Sequence, residues 1–140
     1  MRSFAFAVAT VLSLSVGALA ADPPNLLGDW TRTVLYSAQV GEHPGYPPAP
    51  KPRFSNGPAT DRTMKIEKQD GSSFSGTMQG RQGKPETIIG TFQDDGKHFV
   101  FATSGDTGSG EATSDEMKYC WATSSPRFMG TGCATFKRNK

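Results

Sequence analysis

Three glycines fall directly opposite large rings once the hairpins that their sequence prescribes are closed: Gly90 opposite Phe101, Gly110 opposite Tyr119, and Gly132 opposite Trp121. Setting a residue without a side chain against a ring is how a small, curved β-barrel fills its interior. The pairings follow from turn chemistry. Asp95-Gly96 makes a two-residue turn with glycine where φ must be positive. This places Phe92 across from Phe99 and Gly90 across from Phe101, and turns His98 and Val100 to the other face. Ser114-Asp115 joins Ala112 to Met117 and Gly110 to Tyr119. Around Asp70-Gly71, an odd loop length is needed to keep Met64 and Ile66 on the face of Phe74 and Met78. A three-residue turn with Gly71 left-handed supplies it. A five-residue loop over Arg81 to Pro85 pairs Met78 with Ile88 and Phe74 with Phe92. All four turns agree on one apolar face.

Beyond Trp30 the chain shows no helical period. It alternates over short stretches bounded by Gly, Asp, Ser and Pro, which predicts strands at about 28–40, 62–69, 73–80, 86–93, 97–104, 108–113, 116–123 and 129–137. Short links after the second strand predict antiparallel neighbours. The expected fold is all-β: an eight-stranded antiparallel up-and-down barrel, a meander whose closure removes exposed edges. A two-sheet sandwich is the competing architecture.

A hairpin centred on Pro126-Arg127 sets Cys120 opposite Cys133, on the face of Lys118 and Thr135, with Met117–Phe136, Tyr119–Ala134 and Trp121–Gly132 on the inner face. Opposed residues of a non-hydrogen-bonded pair are close enough to bridge. A structural disulfide is therefore expected, contributing roughly 2–3 kcal/mol. A metal pair is the alternative, but two cysteines without a neighbouring histidine make a poor zinc site.

The N-terminus reads as an address. Arg2, an apolar run from Phe4 to Val16, and Ala18-Leu19-Ala20 match a secretory signal peptide over residues 1–20; a retained anchor is the other reading. The run is too short to span a bilayer. The mature domain is then residues 21–140, periplasmic or secreted. Without Arg2 it carries 14 basic and 13 acidic residues, 120 residues in all. A chain so near neutrality has no strong electrostatic reason to seek nucleic acid or an anionic membrane.

Leu27-Gly28-Asp29-Trp30 opens the first strand and Lys137-Arg138 closes the last. This resembles the calycin barrels, the lipocalin and avidin type, where Gly-x-Trp enters the first strand and a basic side chain near the C-terminus packs on the indole. The resemblance implies structural roles for Gly28, Trp30 and Arg138, with Trp30 plugging one end and Arg138 stacked upon it. It also implies small apolar ligands or biotin, although no biotin-binding pattern is present.

Alternation along the first strand places Trp30, Arg32, Val34 and Tyr36 inside. Arg32, Tyr36, Tyr119 and Trp121 are thus the candidate ligand-binding groups, and a buried Arg32 requires an acid or an anionic ligand. The segment 41–62 holds Pro44, Pro47, Pro48, Pro50, Pro52 and Pro58, and reads as a long polyproline-type loop. Tyr46 and Phe54 in it are candidate contacts, for a lid over the barrel mouth or for a protein partner; a mobile insertion is the other reading. Catalytic constellations are not evident. His43 lies in the proline-rich loop, His98 faces outward, and Asp94-Asp95 and Asp115-Glu116 serve turns. No phosphate loop, nucleophile elbow or metal-spaced cluster occurs. The expectation is an exported binding protein, without enzymatic activity, cofactor or metal, for a small apolar molecule. The alternative is a protein-interaction module, such as an inhibitor of an exported enzyme, acting through the proline-rich loop or the barrel rim.

Overall fold

A computed structural model describes residues 21–42, 47–79 and 84–140. The described strands are β1 (Gly28–Gly41), β2 (Ala49–Pro58), β3 (Thr63–Asp70), β4 (Ser73–Gln79), β5 (Glu86–Phe92), β6 (His98–Ala102), β7 (Thr107–Ala112), β8 (Glu116–Ser125) and β9 (Phe128–Arg138). From β3 to β9 each strand pairs antiparallel with the next, and β1 pairs with both β3 and β9. The result is a closed eight-stranded barrel with β2 as one additional strand.

The interior is made of rings set against glycines. Gly90 lies opposite both Phe74 and Phe101, Gly110 opposite Tyr119 and Phe99, and Gly132 opposite Trp121. A Cβ on Gly90 would stand 2.2 Å from Phe74 Cζ, and one on Gly132 2.6 Å from the Trp121 ring. Each glycine is therefore space that a ring already occupies. The rings touch in sequence around the axis. Phe74 and Phe99 lie at 5.6 Å between centroids, Phe101 and Tyr119 at 4.9 Å, and Tyr119 and Phe136 at 5.5 Å. These are ordinary edge-to-face and offset separations.

Four expectations need correction. The strand β2 runs through the proline-rich segment, which is not wholly loop. Its prolines are compatible with pairing because of where their missing donors point. Ala59 donates to the Thr33 carbonyl at 3.1 Å, and Val34 lies opposite Pro58. Alternation then turns the N–H of Arg53, Ser55 and Gly57 toward β1, and those of Phe54, Asn56 and position 58 away. Pro58 thus removes only an outward donor, while Pro50 and Pro52 sit in an irregularity between Gly41↔Ala49 and Gln39↔Arg53.

The second correction concerns β1, whose alternation breaks. Arg32 lies opposite Phe136 but Val34 opposite Thr135, so Thr33 is a bulge. One extra residue reverses the face of everything after it. Trp30 and Arg32 point inward as expected. Val34 and Tyr36 point outward, and Leu35, Ser37 and Gln39 take the inner positions opposite Ala134, Gly132 and Gly130.

The third is a slip of two residues between β4 and β5: Phe74 pairs with Gly90, Gly76 with Ile88, and Met78 with Glu86. A two-residue slip preserves the face, so the core assignment survives. Part of the connecting loop, 80–83, lies outside the described residues. In the fourth, the odd residue between β3 and β4 sits in the strand. Asp70 pairs with Ser73 around a two-residue turn with Gly71 at φ 54°, and the register shifts between Ile66 and Lys68.

The two barrel ends differ. At the closed end, residues 21–27 cross the opening and bury Leu26 completely. Gln69 accepts from the Leu26 N–H at 2.8 Å and donates to the Pro24 carbonyl at 3.0 Å. Trp30 is fully buried and donates Nε1–H to the Leu26 carbonyl at 2.9 Å. Arg138 lies 4.7 Å over its ring and donates to the carbonyls of Ser114, Leu27 and Asn25. Cys120 and Cys133 are disulfide-bonded across β8 and β9, with Cα atoms 4.0 Å apart.

Candidate functional site

The opposite end is where the predicted polar residues meet. Arg32 reaches it from β1, Tyr119 and Trp121 from β8, and together they line a niche with Arg62, Asp106 and Met78. The niche encloses about 10 Å³, room for at most one water-sized molecule. Arg32 is only 7 % exposed. The acid that its burial demands is Asp61, which it engages through Nη2. Asp61 sits in the 59–62 link, looped out where β1 exchanges β3 for β2 as its neighbour. Arg32 N–H bonds Arg62 O at 3.0 Å, and one residue later the partner is Ala59. Partial burial works to raise the Asp61 carboxyl, but the hydrogen bond and charge of Arg32 outweigh it and hold the group below its ordinary range. The Nε of Arg32 finds no hydrogen-bond partner among the described residues.

Met78 sulfur accepts from Arg62 Nη1 at 3.4 Å and from the Tyr119 hydroxyl at 3.5 Å. Burial pushes the Tyr119 phenol well above its ordinary range, with Arg62 and Arg32 opposing the shift only in part. A phenol held neutral in this way supplies no base near neutral pH.

Tyr36, the fourth candidate, is not part of this group. The bulge at Thr33 sends it to the outer surface, 55 % exposed and opposite Cys133. There it joins a different set. Phe54 lies opposite Ala38 and is 68 % exposed, and Met129 lies opposite Val40 and is 59 % exposed. The disulfide shares this face. These residues share one outer face of β2, β1, β9 and β8, with Ala38 and Val40 beside them and Asn56, Thr131 and Ser124 interspersed. Among the described strands, β2 contacts only β1, so its second edge has no partner there. Tyr46 lies outside the described residues.

Sequence reasoning missed Asp61, Arg62 and Met129. A buried Arg32 did signal that an acid was required, but not which one. For Met129, the signal was its position opposite Ser124 on the disulfide face of the last hairpin.

A second concavity lies on the outer wall over β3 to β6, with a volume of about 590 Å³. Ile89, Val100, Ser73, Ser75 and Thr91 face into it. Its lining is mostly apolar, with the hydroxyls of Ser73, Ser75 and Thr91 and the charged Lys68 and Asp70. Comparison of the chain with models of protein families, with curated proteins and with solved structures returned no match.

Proposed function

We propose that the chain is an exported, non-enzymatic protein-interaction module of calycin type, working through the rim of the barrel. The observation that carries this reading is the contrast between inside and outside. The niche among Arg32, Tyr119 and Trp121 leaves about 10 Å³, far below the roughly 300 Å³ and upward of small-molecule sites. The outer face of β2, β1 and β9 instead exposes Tyr36, Phe54 and Met129, with Ala38 and Val40 on the same face. Contiguous exposed apolar surface of this kind marks interaction sites. The calycin assignment is supported by the barrel and by Gly28, Trp30 and Arg138 in the arrangement that the family resemblance implies. The disulfide supports export, since such bonds persist in oxidising compartments.

Photo-crosslinking in the source organism tests the reading. A photoreactive residue at position 54 or 129 is expected to yield a protein adduct, and one at Thr87, on the exposed barrel wall, is not. Adducts from neither rim position, together with a small molecule retained in native mass spectrometry, would refute it. The outer concavity favours a second reading, a small amphipathic ligand bound on the barrel wall beside Ile89 and Val100. Loss of such a ligand in Ile89→Lys would mark that site.

A further inference from the structure

We propose that the partner is recognised through the free edge of β2, and that it supplies an extended acidic segment which adds as a strand beside Phe54 and Asn56. This rests on the interaction reading above. The first observation is backbone direction. The Ala59 to Thr33 bond and the β1–β2 register turn the N–H and C=O groups of Phe54 and Asn56 away from β1. The same alternation is met on the other side of β1, where Glu42 donates to the Arg127 carbonyl at 2.8 Å. Pro52 and Pro58 flank this window and offer no donors. The edge therefore presents two adjacent donor–acceptor positions and no more. That is enough to seat a short strand in one register and too little to propagate a sheet.

The second observation is charge. Val34–Gly41, β2 and the stretch Cys120–Thr135 contain no acidic residue, yet they carry Lys51, Arg53 and Arg127. None of these three is ion-paired among the described residues, although Glu42 borders them. The closed end is mixed, with Asp70, Asp94, Asp95, Asp115 and Glu116 at its turns beside Lys97, Lys137 and Arg138. Cations on an edge strand repel an identical edge, which disfavours a second copy there. They attract an acidic chain. Phe54 then packs on the alternate side chains of the added strand, with Tyr36 next to it on the same face. An anionic lipid surface would satisfy the cations and the rings, but it would leave the outward N–H groups without use. The edge therefore selects a polypeptide.

Selection of random dodecapeptides displayed on phage against the mature chain, followed by anisotropy titration of the recovered peptides, tests this. The peptides are expected to be acidic and to bind less tightly as salt rises. Asn56→Pro removes only an outward donor, so its urea midpoint should match that of the native chain while affinity falls roughly tenfold. Asn56→Ala keeps the donor and is expected to bind normally, whereas Phe54→Glu is expected not to bind. Failure to recover any peptide would overturn the proposal, as would equal affinity in Asn56→Pro or equal loss in Asn56→Ala. Two other results would also reject it. Binding to phosphatidylglycerol vesicles that Phe54→Glu abolishes would assign the face to lipid. A dimer in sedimentation that Asn56→Pro dissociates would assign the edge to a second copy. If rim photo-adducts persist while Asn56→Pro changes nothing, the interaction module stands and only the edge recognition falls.

Discussion

Gly90→Ala is the sharpest perturbation of the barrel, because its consequence can be worked from distances. The added methyl would lie 2.2, 2.7 and 2.8 Å from Phe74 Cζ, Cε1 and Cε2. Carbon atoms rest at about 3.5 Å, so the ring must retreat by about 1 Å. It has nowhere to go, since Phe92 and Phe99 stand 5.8 and 5.6 Å away between centroids. Overpacking of this kind costs about 1–3 kcal/mol, and the loss of glycine's entropy in the unfolded chain returns about 0.5–1. The expected net loss is about 0–2.5 kcal/mol, read as a lower urea midpoint at unchanged slope. Phe74→Leu alone costs about 1–2 kcal/mol as a partial truncation. In that background the methyl has space, so Gly90→Ala should be neutral or stabilising. The coupling in the double-mutant cycle should then exceed about 1 kcal/mol. If the two costs add to within about 0.5 kcal/mol, the ring does not occupy the glycine's place and the interlocking account of the core fails.

Replacing both Cys120 and Cys133 with serine reopens a hairpin closed over a sequence separation of 13, and should lower stability by about 3 kcal/mol in urea unfolding. Arg138→Met removes the cation over Trp30 and three bonds to backbone carbonyls, so a loss of about 1.5–3 kcal/mol and a red shift of Trp30 emission are expected. Asp95 is hydrogen-bonded by the His98 ring at 2.5 Å and by the backbone N–H groups of His98 and Lys97, which hold its carboxyl well below the ordinary 3.8. A depressed carboxylate contributes stability above its unfolded pKa and loses it as pH falls through the folded one. Asp95→Asn should therefore be less stable than the native chain at pH 6, with the gap closing progressively below pH 4, as urea midpoints at both pH values will read.

What was legible in the residues was local. Ser114-Asp115 specifies its turn and the register of Ala112 with Met117. The register of Phe92 with Phe99 was legible as well, although the turn falls on Asp94-Asp95, closed by Gly96 N–H to the Gln93 carbonyl, with Gly96 left-handed after it. The Pro126-Arg127 hairpin is equally local, and so the disulfide and the Trp121–Gly132 pair were legible too. The β3–β4 connection was half legible. Parity demanded one odd residue, but nothing nearby decided whether a turn or a bulge at Glu67 would take it. The candidate site divided in the same way. Arg32, Tyr119 and Trp121 converge because their faces follow from hairpins or precede the bulge, while Tyr36 lies beyond it.

Alternation, glycine spacing and turn residues by themselves determined an antiparallel barrel and which side of most strands is its inside. Only the closed structure decided the bulge at Thr33, because one strand there must serve β9 on one side and both β3 and β2 in succession on the other. It also decided that the proline-rich stretch becomes β2, since a proline is tolerated or excluded by the direction of its missing donor, and that direction exists only once a partner strand does. Pairing across the barrel is a long-range constraint. No window of residues contains it.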